Sequence, residues 1–354
     1  MTQRTTQETV QGTMQALVMT EFGKLELQTL PMPQMVRPDD VLLEVRAAGV
    51  CGSDLHYWAE GANGEYVVRE PLVPGHEVSG TVDLDPAGEL APGTPVTVHP
   101  ATFGTPQPGI EDRRHLWPGG AYLGSASTRP HTQGGMSEYL LVRRDMVRVL
   151  PAGLPLRRAA LAEPLAVALH GLTVAGDVTG RRVLVSGSGP IGLLTAAAAL
   201  ARGAAEVVAT DVLEGPLERA RALGVHGTVR VGAEQIPSGA FDVVLECSGV
   251  PAAVSPALVG ARRGGVVVQV GMVPDEARPV NLAPLVSKEL QLRGSFRFDD
   301  EIDEAIGLLA DRPGIEDVVT HEFPADRAVE AFATARDSAV SGKVLVSLAP
   351  GEPR

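Results

Sequence analysis

Cysteine is nearly absent: 354 residues carry two, Cys51 and Cys247. Two are too few for a disulfide framework and suit a reducing compartment. A basic excess is missing as well. Lys and Arg number 30 against 43 Asp and Glu, a formal net charge of −13, and no Lys/Arg run offers the basic face that a phosphate backbone needs for counterion release. Nucleic acid is not an expected partner. No stretch approaches the ~18 consecutive apolar residues of a membrane span, and Met1 to Gln15 lack the apolar centre of a secretory signal. The expectation is a cytoplasmic protein with no membrane partner. The stretch before Met14, itself an alternative start, carries no visible chemistry. Internal repeats and low-complexity segments are also lacking.

What is present is ordinary globular composition, 44% hydrophobic and 21% charged, in a chain long enough for two domains with packed cores. The first half reads as mostly β. Ala16 to Met19, Leu25 to Leu30, Val41 to Ala47, Val78 to Val82 and Pro95 to Val98 are short runs divided by Pro/Gly turns. His99 to Gly135 is rich in Gly and Pro without a sustained period, a long excursion that is functional or mobile. Tyr139 to Val142 and Met146 to Leu150 return to strand character. A helical stretch from Leu156 to His170 follows, expected to kink or restart at Pro164, which would leave Glu163 in irregular backbone.

The second half alternates strand and helix, with near-continuous apolar strands that predict a parallel sheet covered on both faces. After the strand Arg181 to Ser186, the turn Gly187-Ser-Gly-Pro-Ile-Gly192 opens an Ala-rich helix, and Asp211 ends the next strand about 20 residues on, which together make the dinucleotide fingerprint. Gly187 permits the tight turn, Gly189 lets a pyrophosphate approach the helix N-terminus beside Pro190 and Ile191, and Gly192 lets helix and strand pack closely. Asp211 can accept from a ribose diol and would repel a 2′-phosphate, so NAD is expected over NADP, with Arg219 or Arg221 as the residues able to relax that choice.

Cys51, followed by Ser53, Asp54 and His56, and the pair His76-Glu77 concentrate thiolate, imidazole and carboxylate upstream of this fold. That donor set suits zinc with a position left open. Here the chain resembles the zinc-dependent medium-chain dehydrogenases from Met14 to Leu348, through Cys51-Gly-Ser-Asp54, Gly75-His-Glu77, Glu163-Pro-Leu-Ala, Gly187 to Gly192 and Gly342-Lys-Val. His56-Tyr-Trp58, Glu163 and Arg293-Gly-Ser-Phe-Arg297 resemble the polyol (sorbitol) dehydrogenase branch. Gly124-Ser-Ala, Pro130-His131, Gly134-Gly135 and Lys288 to Phe298 resemble its L-idonate-oxidising members.

The resemblance implies an α/β fold of two parts: a GroES-like β-rich catalytic domain, residues 1–160 with 300–354 returning to it, and a Rossmann doubly wound NAD-binding domain, 161–299. It makes Cys51, His76 and Glu77 the zinc ligands, with Glu163 a fourth ligand or a partner through bound water. Many relatives carry a second, structural zinc on four cysteines in the lobe matching His99 to Gly135. This lobe has no Cys, so one catalytic zinc is expected, and Phe103, Trp117, Tyr122 and Leu123 are the available anchors.

The implied reaction is hydride transfer between NAD and a secondary alcohol. Ser53 and His56 are candidates for a proton relay, Glu163 for the base, and Arg297 for the group that grips substrate hydroxyls or a carboxylate, with Arg129 a second cation and Tyr57 a pocket residue. The expected substrate is an aldonate such as L-idonate, oxidised to 5-ketogluconate. A neutral polyol of the sorbitol or xylitol type, threonine, and a non-catalytic dinucleotide-binding role are the alternatives. A homo-oligomer is expected, a tetramer ahead of a dimer, with the sheet edge near Gly265 to Gly271 or Leu290 as the candidate contact.

Overall fold

Short β-branched runs divided by tight turns pair antiparallel, because a hairpin needs only a few linking residues and a parallel crossover a dozen. The computed structural model describes residues 12–21 and 23–348, so the stretch before Met14 lies, through residue 11, outside the described residues. β1 (Thr13–Glu21) and β2 (Lys24–Pro31) form an antiparallel ribbon. β3 (Asp40–Gly49) leads into α1 (Gly52–Glu60), followed by the paired dipeptides β4 (Ala62–Asn63) and β5 (Tyr66–Val67). Then come β6 (Glu77–Leu84), β7 (Pro95–Val98), the small pair β8 (Ala101–Thr102) and β9 (Ala121–Tyr122), β10 (Tyr139–Arg143) and β11 (Val147–Val149).

The stretch read as a helix disturbed at Pro164 forms two helices, α2 (Leu156–Ala159) and α3 (Ala162–Ala175). The restart lies upstream of the proline, at Ala160 and Leu161. Pro164 is the third residue of α3, where a backbone N–H has no intrahelical acceptor to lose, so it starts the helix without bending it.

β12 (Arg182–Ser186), α4 (Pro190–Ala201), β13 (Glu206–Asp211), α5 (Glu214–Ala222), β14 (Gly227–Arg230), β15 (Phe241–Glu246), α6 (Pro251–Gly260), β16 (Ala261–Gln269), α7 (Ala283–Ser287) and β17 (Gln291–Gly294) build the expected parallel sheet. Its order, β14-β13-β12-β15-β16-β17, is the 3-2-1-4-5-6 order of dinucleotide-binding sheets. The order reverses between β12 and β15, which opens a crevice at their carboxyl ends. β14 was not predicted; of its four residues only Val229 is buried.

α8 (Glu301–Asp311) packs on α3 within the same apolar core as this sheet. The chain then reaches β18 (Val319–Pro324), α9 (Ala328–Arg336) and β19 (Lys343–Ser347). β19 lies parallel to β18 and antiparallel to β3, completing a seven-stranded sheet in the order β11-β7-β6-β3-β19-β18 with β10 also on β3. The last strand therefore closes the sheet that carries Gly49 and Glu77.

The lobe from His99 to Gly135 is held by its buried Tyr122 and Leu123, as expected, and also by a polar clamp that composition did not reveal. Arg114 donates to Asp299 at 2.7 Å and pairs with Asp300, while His99 Nε2 meets the Asp299 carbonyl at 2.7 Å. His170 Nδ1 lies 2.8 Å from Glu301 Oε1, and the Asp299 N–H donates to Oε2 at 2.9 Å. Burial would raise the Glu301 pKa, but those contacts outweigh it and bring it from 4.5 to about 2. A depressed carboxylate pKa contributes stability above its unfolded value, lost as pH falls from about 4.5 towards 2. Glu301→Gln should cost about 1–2 kcal/mol at pH 7, the shift being discounted for partial solvent screening. In urea melts the gap to wild type should narrow by more than half at pH 3; a constant gap would contradict the assignment.

Candidate active site

Two turns bring the metal-type donors together. Cys51 caps α1 immediately after β3, and His76 precedes Glu77, the first residue of β6, which pairs with Gly49 across the sheet. Asp54, fully buried, braces both turns: its Oδ2 accepts from Cys51 N at 3.0 Å and its Oδ1 from Gly75 N at 3.2 Å. Ligand atoms of Cys51, His76 and Glu77 all lie within 4.8 Å of one another. Among the described residues no other group of three His, Cys, Asp or Glu meets that distance test. Gly49 makes room for the cluster, since a Cβ there would stand 1.9 Å from Glu77 Oε2.

The cluster is built for a cation. His76 Nδ1 and Glu77 Oε2 are buried without a hydrogen-bond partner, an arrangement costly unless something else satisfies them. Burial alone would lower the His76 pKa, yet the Cys51 thiolate beside it, with Asp54 and Glu163, raises it to about 10. The anions hold positive charge at their centre, and the mixed sulfur, nitrogen and oxygen set with three protein donors fits zinc with an open position. Lys343, on β19, supplies a fixed cation at the rim: its Nζ donates to Glu77 Oε1 at 2.5 Å and to the Val50 carbonyl at 3.1 Å.

Glu163 enters from the first turn of α3 and lies outside the group of three. Its Oε1 accepts from the Tyr122 hydroxyl at 2.5 Å. Burial raises its pKa, and Glu77 adds to the rise. The Tyr122 ring meets the His76 ring edge-on, centroids 5.4 Å apart, and carries the Arg297 guanidinium 4.2 Å above its face. Arg297 borders a cavity of about 350 Å3 whose wall also includes Phe103, Arg114, Trp117, Thr128 and Phe296. Among the described residues Arg297 has ring partners, Tyr122 and Phe296, and no carboxylate. Arg129, by contrast, is exposed and does not border this cavity.

The glycine turn sits at the crevice. Gly187 has φ 89°, and a Cβ on Gly192 would lie 1.9 Å from the Gly187 carbonyl, so the helix packs this closely only without a side chain. Gly189 caps α4 with Pro190 as its first residue and Ile191 next, leaving first-turn N–H groups for an anion. Asp211 braces the same turn, accepting from Ser188 N at 2.9 Å, and also caps the following bend through Leu213 N at 3.0 Å. Of the two arginines named as able to relax cofactor choice, Arg221 is engaged elsewhere, whereas Arg219 also feels the charge of Asp211 and keeps its Nε without a partner. Arg219 donates to the Ser338 and Ser341 carbonyls, and Arg221 to Glu214.

Family models match both halves: an alcohol dehydrogenase GroES-like domain over residues 37–152 and a zinc-binding dehydrogenase over 190–311. The chain belongs to the zinc-binding dehydrogenases. It is 36% identical to a sorbitol dehydrogenase of Gallus gallus over 338 residues, 91% of this chain and 93% of the relative. It is also 36% identical to an L-idonate 5-dehydrogenase (NAD(P)(+)) of Escherichia coli over 312 residues, 86% and 90% of the two chains. The crystal structure of L-idonate 5-dehydrogenase from E. coli superposes with a TM-score of 0.89 at 32% identity, covering 96% of this chain and 99% of that one. The protein is thus a dehydrogenase of the zinc-type polyol and sugar-acid group.

In this zinc-binding dehydrogenase the structure gathers Cys51, His76, Glu77 and Glu163, with Arg297 one ring away. It does not join Ser53 to His56: no hydrogen bond links them, and His56 is exposed with Nδ1 3.1 Å from Glu60 Oε1. Tyr57 is buried against Ser125 and Ala126 and does not border the cavity. Cys247 is a closed thiol, its pKa pushed up by burial to about 12. Sequence reasoning singled out Gly342-Lys-Val but missed the pairing of Lys343 with Glu77, and it missed the bracing role of Asp54. Asp54 had a readable signal, an acid three residues after the cap of α1, where it bonds back to the cap N–H. None of the helices among the described residues is long and apolar enough to cross a membrane.

Proposed function

We propose that this dehydrogenase oxidises a secondary alcohol of a sugar acid with NAD, L-idonate to 5-ketogluconate being the first choice. The carrying observation is Arg297, a guanidinium stacked on the Tyr122 ring whose hydroxyl bonds Glu163, with no anionic partner among the described residues; its planar donors suit a substrate carboxylate. We place the site in the cleft between a GroES-like unit, 1–160 with 300–354 returning to it, and the dinucleotide unit, 161–299, although α8 of the returning segment packs in the dinucleotide core.

Cys51, His76 and Glu77 would hold a zinc ion, which when bound would supply Lewis acidity, and a bound nicotinamide would supply the hydride acceptor. Gly187, Gly189, Pro190, Ile191 and Gly192 seat the cofactor pyrophosphate, and Asp211 takes the ribose hydroxyls. Arg297 orients the far end of the substrate. Glu163, whose buried carboxyl has a raised pKa, takes the proton that leaves the alcohol. The exposed His56 is the proposed point at which that proton meets solvent, without a direct hydrogen bond from Ser53.

A neutral polyol is the second reading, favoured by the carboxylates around the metal site and by equal identity to a sorbitol dehydrogenase. NADP use has its own support in Arg230, which is the register neighbour of Asp211 on β14 and has no side-chain partner among the described residues. One set of kinetics separates these. Arg297→Met should raise KM for the aldonate about 30-fold and leave that for sorbitol within about twofold. Equal effects on both would sink the sugar-acid reading, and an NADP kcat/KM equal to that for NAD would sink the cofactor preference. Association rests on β17, an edge strand with Leu292 exposed and Val286 exposed just before it. We assign it to a homo-oligomer, a tetramer ahead of a dimer.

A further inference from the structure

We propose that Tyr122 is the positioning residue that keeps the metal site open, holding Glu163 back from the Cys51–His76–Glu77 group and seating Arg297 over its ring. Glu163 has the chemistry of a fourth ligand and stands beside the three. Four protein donors make a closed, structural zinc site, whereas a catalytic one needs a free position for a substrate oxygen. Something must hold the fourth carboxylate off.

The Tyr122 hydroxyl does so from the lobe side. Its 2.5 Å hydrogen bond to Glu163 Oε1 is buried, and Tyr122 itself is 6% exposed. Swinging Glu163 onto the metal would break a bond to a charged acceptor in a low-dielectric setting and leave the phenol O–H without a partner. The ring is fixed in turn by the edge-on His76 on one side and by Arg297 over its face. A phenylalanine would fill the same space and keep both ring contacts, so the hydroxyl is the part that gates the ligand set. The ring is the part that presents Arg297 to the cavity. That second role rests on the sugar-acid reading above; the first does not.

The test uses protein loaded with zinc or with Co2+, whose visible spectrum reports the number and kind of ligands. Tyr122→Phe should change the Co2+ spectrum, lengthen the half-time of zinc loss to a chelator severalfold, and lower kcat about tenfold for any substrate. The double variant Tyr122→Phe with Glu163→Ala should return the spectrum and the chelation half-time to wild type. Glu163→Gln alone, with Tyr122 intact, should leave the spectrum unchanged, because the residue is not a ligand. A changed spectrum there, or a wild-type spectrum and chelation rate in Tyr122→Phe, overturns the proposal. For the ring, Tyr122→Leu should raise the aldonate KM about tenfold where Tyr122→Phe leaves it within about twofold. If no aldonate is turned over, the substrate reading fails while the spectra still decide the role of the hydroxyl.

Discussion

Cys51→Ala is expected to lose bound zinc and to lower kcat/KM by roughly 1000-fold or more, because one of three protein donors, the only sulfur among them, is removed. The residue caps α1 and is only half-buried, and its backbone N–H bond to Asp54 does not depend on the side chain. Removing the sulfur therefore opens the site without emptying a core, and the far-UV spectrum and melting midpoint of the metal-free variant should match those of metal-free wild type. The His76 proton also loses its first anionic partner, so the imidazole should no longer be held at a pKa near 10. Metal analysis after gel filtration, together with NAD-linked turnover, checks the result. Wild-type protein stripped by a chelator should show the same loss and recover with added Zn2+, whereas the variant should not. Full zinc content with full activity in Cys51→Ala would remove the metal assignment altogether.

The parts of the fold that were legible in the sequence are those specified by neighbours in the chain. The apolar runs of β12, β13, β15 and β16 and the glycine turn at Gly187 are local patterns, and each forms where it was expected. β14 and β18 escaped for a physical reason. Gly227-Thr-Val-Arg buries one residue, and Val319-Thr-His-Glu-Phe-Pro mixes an edge strand's polarity with too short an apolar set. The restart of the helix at Ala160 and Leu161 has no side-chain marker at all, while Pro164 offered a false one. In the site, Cys51, His76 and Glu77 could be read because each sits in a short motif with a characteristic donor type. The role of Lys343, although it sits in the Gly342-Lys-Val motif, could not, since it meets Glu77 across 266 residues only when β19 joins β3. Tyr122 was read as an anchor of the lobe. Its hydroxyl acquires meaning only from a carboxylate 41 residues away.

Lys343→Met follows from that long-range pairing and should destabilise the metal-free protein by about 3 kcal/mol, the cost of leaving one partner of a buried ion pair without the other. Lys343 is 3% exposed and Glu77 1%, so neither charge has water to fall back on. The Val50 carbonyl also loses a donor, which costs about 1 kcal/mol more. Methionine keeps most of the stem's volume, which limits any cavity. Burial would lower the Lys343 pKa, but Glu77, Cys51 and Glu163 together raise it above 10.5. A raised lysine pKa contributes stability below the unfolded value and loses it only as pH rises through the folded one, so the ion pair is intact throughout the neutral range. Zinc changes the sum. A divalent cation at Glu77 replaces the missing positive charge, so denaturant melts should show a smaller penalty in the zinc-loaded variant than in the metal-free one. Adding Glu77→Gln to Lys343→Met should likewise recover part of the metal-free stability while abolishing tight zinc binding. A penalty of the same size with and without zinc would mean that Lys343 acts by packing alone and that Glu77 does not face the metal.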